Sequence, residues 1–474
     1  MQTVRHWSVR HARGLRRVYG FFERFAPWLA PLARLIGRGR AEVVLGALEK
    51  SAKTFLFDCR MCGQCVLSAT GMACPMNCAK QMRNGPCGGV RADGGCEVKP
   101  DMRCVWLAAG DGGKLLAGSS MDELALALPA LMPLDHRLEG RSSWLPVIFD
   151  QARVETIPRF CQQDAAEHEA ASLEQACRSG RFVLTVEVAP PDSADPAALL
   201  ARASRFAGLV DAINITDGAG GNCHMSSVAA SAILAAGGLA PVYQIACRDR
   251  NRIAIQGDVL GAAALGVKNI LCLTGDDVSQ GDHPQAKPVF DLDAVSLLRI
   301  TRGMCDRGEY ASGRKLDVAP SLFIGATANP FVPPYQDRIL NLEKKVDAGA
   351  QFIQTQFCFD LPLLEDFMRE VRRRELHRRA SIIVGVGTLG SARALAWMAE
   401  HVPGIHIPAT MLQRIAAASD QKAEAKRICI ETIQAIAAIE GVAGVHVMGH
   451  KNEDTLAEII VESAMRQSTK GARQ

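Results

Sequence analysis

Phe182-Val183-Leu184-Thr185-Val186-Glu187-Val188-Ala189-Pro190-Pro191 opens the part of the chain whose texture decides the fold. An apolar, β-branched run of strand length ends at a carboxylate and two prolines. The run is nearly continuous rather than alternating, the pattern of a strand buried on both faces. Similar runs follow at 211–216, 242–247, 269–274, 322–326, 352–356, 382–386 and 445–448. Helical patterns separate them at 197–207, 227–236, 293–306, 339–348, 361–374 and 423–439. Eight such strands, each followed by a helix, predict a parallel sheet. Over about 285 residues that sheet closes as an α/β (β/α)8 TIM barrel, with an open doubly wound sheet as the alternative.

Upstream of the barrel the composition changes. Residues 1–40 carry nine arginines against one acid, Glu23, interleaved with Phe21, Phe22, Phe25, Trp28, Leu29, Leu32, Leu35 and Ile36. Pro27 and Pro31 interrupt any long helix there. No apolar core with a small-residue cleavage site follows, so a docked, basic, helical arm is expected ahead of a targeting or membrane-surface element. No transmembrane segment is expected, since no apolar run reaches the roughly 18 residues a span needs. The domain order read from these changes is a basic arm over 1–58, a cysteine module over 59–104, a weakly patterned connector over 105–180 with helical pieces at 121–131 and 163–179, the barrel over 181–468 and a tail over 469–474. A net charge of +4 over 474 residues gives no reason to expect a nucleic-acid partner.

Eight of the sixteen cysteines fall in the module: Cys59, Cys62, Cys65, Cys74, Cys78, Cys87, Cys96 and Cys104. The others, Cys161 among them, are scattered singly and several lie in apolar strands. That usage points to a reducing compartment, and so to a cytoplasmic protein with metal ligands rather than disulfides. Cys59-x2-Cys62-x2-Cys65 lets three thiolates converge from one tight loop, as iron–sulfur clusters require, and Cys74-Pro75 resembles the end of a ferredoxin run. Glycines at 63, 71, 85, 88 and 89 allow the backbone to turn toward sulfur. Structural zinc also takes four cysteines with x2 spacing. Eight thiolates make two sets of four, holding iron–sulfur clusters, zinc or one of each.

In such barrels chemistry sits where strands end. Here the ends read Glu187-Val188-Ala189-Pro190-Pro191, Thr216-Asp217-Gly218-Ala219, Cys247-Arg248-Asp249, Thr274-Gly275-Asp276-Asp277, Ala328-Asn329-Pro330, Gln356-Phe357-Cys358-Phe359-Asp360 and Gly385-Val386-Gly387. Glu187 interrupts its own apolar strand. Desolvation there would favour the protonated acid and suit it to proton transfer; a rim carboxylate paired with a cation is the competing reading.

With these motifs on the page, residues 181–468 resemble methylenetetrahydrofolate reductase, a flavin-binding (β/α)8 enzyme. The resemblance rests on Glu187 with its double proline and on Thr274-Gly275-Asp276. It rests also on Asn341-Leu342-Glu343-Lys344-Lys345-Val346-Asp347-Ala348-Gly349-Ala350 running into Gln354-Thr355-Gln356-Phe357. The cysteine module is similar to the small domain that accompanies this reductase in some bacteria, which in acetogens carries iron–sulfur clusters.

The resemblance implies flavin-dependent interconversion of 5,10-methylenetetrahydrofolate and 5-methyltetrahydrofolate, in either direction. It implies that Glu187 is the general acid that protonates the folate nitrogen, opening the imidazolidine ring to an iminium that takes hydride from flavin. It implies that Asp276 is the carboxylate near flavin and folate, and that Gln356 binds the pterin. Thr216, Ala219, Gly275, Asn341 and Lys345 fall on flavin contacts, with FAD implied ahead of FMN. The chain departs from the enterobacterial pattern at Ala394, Met398, Thr274 and Arg338, around the nicotinamide and dinucleotide end. Those changes weaken FAD over FMN and leave the donor open between NAD(P)H and an iron–sulfur or ferredoxin-type carrier protein. An oligomer is expected. Two other functions fit the residues less fully: a catalytically quiet barrel whose zinc module docks a partner, and a folate-using methyltransferase barrel without flavin.

Overall fold

The computed structural model describes residues 2–118, 120–149, 151, 154–159, 172–387, 390–402, 404–449 and 452–465. Cys161, most of the helical pattern at 163–179 and the tail at 469–474 lie outside the described residues.

Eight parallel strands close into a barrel in sequence order: β1 (Val183–Val188), β2 (Ala212–Ile215), β3 (Pro241–Ala246), β4 (Asn269–Leu273), β5 (Phe323–Ala328), β6 (Phe352–Phe357), β7 (Ser381–Gly387) and β8 (Val442–Met448). Closure is made by β8 on β1, with Thr185 beside His446 and Val186 beside Val447. The open-sheet alternative is thereby excluded. Each predicted strand is present, shifted by a residue or so at its ends, except β8. That strand starts three residues earlier than its apolar run because Gly444 packs directly on the Val183 carbonyl, where a Cβ would lie 2.2 Å from the oxygen.

The lower end of the barrel is apolar. Val183, Ala212, Val242, Leu271, Phe323, Phe352 and Ile383 pack in one layer, sealed by Leu173 and Ala176 of the helix Ser172–Arg178. Phe323 and Phe352 stack at 5.1 Å. The small residue Gly325 is needed beside them, since a Cβ there would meet the Phe352 ring at 2.3 Å. The bottom of the barrel is thus a packed core, and chemistry is confined to the other end.

Contact density divides the chain into two compact units, one of residues 1–86 and 94–158, the other of 87–93 and 159–474. The first holds α1 (Gln2–Arg10), α2 (Ala12–Phe25), α3 (Ala30–Ile36), α4 (Arg38–Phe57) and α5 (Val105–Ala117). As the prolines require, α2 and α3 are separated by a single 3₁₀ turn, Ala26–Leu29. The helical piece expected at 121–131 is present as the helix Met121–Ala127, and the stretch after Cys104 carries more structure besides: α5 and the helix Trp144–Ile148 belong to this unit too. α5 is legible poorly because its buried side is built from small residues. Gly112 abuts the Gly71 carbonyl, where a Cβ would lie 1.9 Å from the oxygen.

A buried ion pair ties α4 to the segment before Trp144. Lys53 Nζ donates to Glu49 Oε1 (2.6 Å) and Ser143 Oγ (2.8 Å), and Ser142 Oγ donates to Glu49 Oε2 (2.6 Å). Removing one partner would leave the other charge buried and uncompensated. Among the described residues no helix is long and apolar enough to cross a membrane.

Candidate active site

Because all eight strands run parallel, their C-terminal ends share one mouth. Glu187 ends β1, Asp276 follows β4 and Gln356 ends β6. What lies directly beneath them is a polar layer. Gln354 of β6 reaches across the barrel, donating from Nε2 to Asn214 Oδ1 (3.1 Å) and to Thr185 Oγ1 (3.2 Å), while Asn214 Nδ2 donates to Gln354 Oε1 (2.6 Å). Thr185 Oγ1 in turn meets His446 Nδ1 at 2.9 Å. All four side chains are buried. Strand side chains alternate, so two residues onward along β1 and β6 the same inward face carries Glu187 and Gln356. Glu187 and Gln356 therefore occupy the next layer up, toward the mouth.

Glu187 is about a quarter exposed. Gln244 Nε2 of β3 donates to its Oε2 (3.3 Å), and His446 Nε2 lies 3.8 Å from the same oxygen. The cation pairing considered from sequence is absent in Lys or Arg form among the described residues; the neighbours are an amide and an imidazole. Gln356 Oε1 accepts from the Phe357 N–H (3.0 Å), so the donor of the amide, Nε2, is not the atom used in that bond. The β6–β7 register shifts between Gln354 and Phe357, an irregularity of the kind that re-aims a side chain.

Asp276 is exposed, and its Oδ2 accepts from the Gly220 N–H (2.8 Å), clipping the loop after β4 to the loop after β2. The two loops touch again where Gly281 meets the Gly221 carbonyl. Gly275 takes φ +96°, and a Cβ there would stand 3.0 Å from Arg248 Cβ and 3.1 Å from Ala246 Cβ. Gly275→Ala is accordingly expected to lower stability by about 1–3 kcal/mol, read as a fall in the thermal midpoint. An unchanged midpoint would mean the loop relaxes freely.

Beneath the same loops Arg250 pairs with Asp217 (2.6 Å), whose carboxylate also accepts from the Ala246 N–H (2.8 Å) and Ser227 Oγ (2.9 Å). This pair fixes the exit of β2 on which Thr216 and Ala219 sit. Thr216 is buried and its hydroxyl has no hydrogen-bond partner among the described residues; Ala219 is exposed at the start of the turn Ala219–Gly221.

Asn341 and Lys345 lie one turn apart on the buried side of the helix Arg338–Asp347. Lys345 Nζ donates to the Thr327 carbonyl (2.6 Å), and burial first, then the charge of Arg338, lowers its pKa to about 8. Arg338 itself donates to the carbonyls of Cys87 (2.6 Å), Pro333 (2.8 Å) and Val332 (3.1 Å), so it is a structural clamp on backbone.

The sequence pattern did not single out Thr185, Asn214, Gln244 or His446 as site residues, nor Gln354. The available signal was a polar residue at an inward position of a buried strand, repeated on five strands.

All described cysteines are free thiols. In the N-terminal unit, Cys74 is pushed up to about 12 by burial and then by the neighbouring charges of Cys59 and Cys62, with Cys65 adding to them. Cys78 is pushed up to about 12 by burial, with Cys104 and Cys96 as its charged neighbours. Cys59, Cys62 and Cys65 are thus the charged neighbours of Cys74, and Cys96 and Cys104 those of Cys78, while Cys87 falls in the other compact unit. The Met61 N–H donates to Cys59 Sγ (3.3 Å), and backbone donors from Met76 and from Met82 and Lys80 reach Cys74 and Cys78. Among the described residues no three His, Cys, Asp or Glu converge closely enough to hold a metal ion. Cys65 also lines a cavity of about 540 Å³ walled by Tyr19, Phe22, Phe57 and Trp144.

The model of one family, methylenetetrahydrofolate reductase, matches residues 172–464, which is more than half of the chain and the whole of the barrel. The chain belongs to the methylenetetrahydrofolate reductase family. A second model, described as the methylenetetrahydrofolate reductase C-terminal domain, matches residues 40–123 and so takes in the cysteine module of this family member. Methylenetetrahydrofolate reductase 2 of Schizosaccharomyces pombe is 29% identical over 202 residues, covering 40% of this chain and 29% of its own length. The 5,10-methylenetetrahydrofolate reductase of Pectobacterium carotovorum is 26% identical over 208 residues, covering 43% of this chain and 63% of its own. The chain therefore spans less than two thirds of either relative. Among solved structures, an uncharacterized Clostridium thermocellum protein that binds two copies of 5-methyl-5,6,7,8-tetrahydrofolic acid aligns with TM-score 0.43 at 15% identity. That alignment covers 63% of this chain and all of that one.

Proposed function

We propose that this protein interconverts 5,10-methylenetetrahydrofolate and 5-methyltetrahydrofolate at the mouth of its barrel, using a bound flavin. The observation that carries the reading is Glu187, a carboxylic acid at the end of a buried strand, standing on an ordered polar layer that orients its neighbours. A flavin fits the residues present: Thr216 offers a buried hydroxyl without a partner among the described residues, the loops at 218–221 and 275–281 present glycine backbone, and Lys345 supplies a cation suited to a phosphate. When bound, the flavin supplies or accepts the hydride.

The chain's own part is positioning and proton transfer. Both described contacts of Glu187 fall on Oε2, so Oε1 is the oxygen assigned to the substrate. A proton held at Oε1 passes to the folate nitrogen, and the ring opens. The polar layer sets which way His446 points its N–H. Gln354, fixed by Asn214, donates to Thr185 Oγ1; the threonine hydroxyl is then free to donate to His446 Nδ1, leaving Nε2–H directed at Glu187. That polar hydrogen stabilises the carboxylate once its proton has left. Asp276 places negative charge at the mouth, where the opened folate is cationic, and Gln356 Nε2 serves as a donor to the pterin.

The module's thiolates are proposed to hold a metal, as iron–sulfur or zinc, with Cys59, Cys62, Cys65 and Cys74 as one set and Cys78, Cys96 and Cys104 in the other. The electron donor is proposed to be NAD(P)H or a carrier protein.

Purified protein is expected to show flavin absorbance that bleaches on mixing with 5-methyltetrahydrofolate and recovers with an electron acceptor. Protein without flavin, or flavin that ignores the folate, would remove the reading. The polar layer has its own test. Gln354→Leu leaves the Asn214 amide buried without its partner and should cost about 1–3 kcal/mol per orphaned group. The Asn214→Leu, Gln354→Leu double variant should recover much of that loss in a denaturant titration. Additive losses would mean the two side chains do not act as a pair.

A further inference from the structure

The N-terminal helices carry a surface that the barrel chemistry does not use. Twelve of the twenty large apolar side chains that stand most exposed among the described residues fall within residues 7–55. Trp28 is 77% exposed and Leu35 84%. The same stretch is the most basic of the chain: residues 1–57 hold eleven Lys and Arg against three Glu, a net +8, whereas the full chain carries +4.

The two chemistries are interleaved on single helix faces. Along α2 and the turn that follows, Arg17, Phe21, Arg24 and Trp28 recur at i, i+4, i+7 and i+11, one stripe of a 3.6-residue helix. All four are exposed. Phe25 joins the aromatics, with its ring 4.3 Å from Phe21 and 5.4 Å from Trp28. The opposite face of α2, with Leu15, Tyr19 and Phe22, is turned inward onto the cavity. On α4 the exposed residues Arg40, Val44, Leu48 and Phe55 repeat the pattern at i, i+4, i+8 and i+15. Arg10, Arg17, Arg24 and Arg40 have no ion pair among the described residues, while Glu23 is paired with Arg16 (2.7 Å).

We propose that this helical face is a docking surface for an anionic lipid bilayer, on which the protein lies without crossing it. Arginine and aromatic residues are enriched at protein interfaces as well, so the choice of occupant rests on charge: an excess of eight positive charges, with four arginines unpaired among the described residues, calls for a densely anionic partner. Here arginines stand between the aromatics within one stripe. That arrangement suits the headgroup layer, where guanidinium groups pair with phosphate and aromatic rings enter the acyl boundary beside them. The net +8 complements an acidic leaflet, and among the described residues no helix is long and apolar enough to cross a membrane.

The test is co-sedimentation of the full chain with vesicles of phosphatidylcholine alone or mixed with phosphatidylglycerol. The protein should pellet with the mixed vesicles at low salt, and far less with phosphatidylcholine or at high salt. Arg17→Gln with Arg24→Gln should weaken binding roughly five-fold per arginine. Phe21→Glu with Trp28→Glu should abolish it while leaving solution turnover and flavin absorbance unchanged, since both residues belong to the N-terminal unit and neither is among the proposed site residues. Protein that stays in the supernatant with anionic vesicles at low salt overturns the proposal. So does binding indifferent to both variants. An oligomer that the Phe21→Glu, Trp28→Glu variant dissociates would equally overturn it, assigning the face to a second copy of this chain.

Discussion

Glu187→Gln is expected to cut folate turnover roughly a hundred- to ten-thousand-fold, the range over which a positioned general acid acts. Reduction of the flavin by its electron donor should change little. The substitution suits the geometry because the glutamine carbonyl can still accept from Gln244 Nε2, now 3.3 Å from Oε2, so the side chain keeps its place. What it loses is the transferable proton. Single-turnover mixing separates the two halves: the step with 5-methyltetrahydrofolate or the methylene substrate slows, and the step with the donor does not. If both slow together, Glu187 shapes the site rather than transferring a proton. If neither slows, the residue leaves the mechanism and the proposed function loses its principal support.

That residue was legible in sequence for a simple reason: a carboxylate within an otherwise apolar strand has few purposes. The strands were legible too, since burial on both faces leaves an apolar run that polar loops delimit sharply. The polar layer under Glu187 was not. Thr185 and His446 are 261 positions apart and meet only because β8 closes on β1. Nor does Asn214 declare itself, since one amide in an apolar strand reads as a weakness of the pattern until Gln354 is seen opposite it. The same limit applies to α5, whose burial depends on glycines at 112 and 113 meeting Gly71. Close backbone approach has no hydrophobic periodicity to announce it. Arg338 illustrates the converse. Its place at the start of a helix gives no sign of a backbone contact, and its role as a clamp on three carbonyls needed coordinates.

Cys74→Ser is expected to have the largest effect on folding. Residues 59–104 contain only two single 3₁₀ turns, Leu67–Ala69 and Pro75–Asn77, so little of this segment is held by regular backbone hydrogen bonds. Trp106, Leu124, Leu128 and Leu131 are buried in the surrounding unit, but two of its apolar clusters are small and rich in alanine: Ala12, Phe57 and Met72 in one, Ala26, Ala33, Ala41, Val147 and Ile148 in the other. Burial of such side chains contributes modestly. A structural metal in a four-thiolate site contributes on the order of 10–16 kcal/mol, as much as the whole net stability of a typical domain, about 5–15 kcal/mol. Losing one of the four proposed ligands should therefore unfold the module rather than merely loosen it. Metal content per chain should fall, and limited proteolysis should cut between residues 59 and 104 where the parent resists. Cys223→Ser, at an exposed thiol outside the module, should do neither. A dithionite-bleachable band in the parent that vanishes in the variant would assign iron–sulfur, and a spectrally silent metal would assign zinc. Should the parent, purified without oxygen, carry no metal and yet resist protease as well as before, the thiolates do not hold the module together.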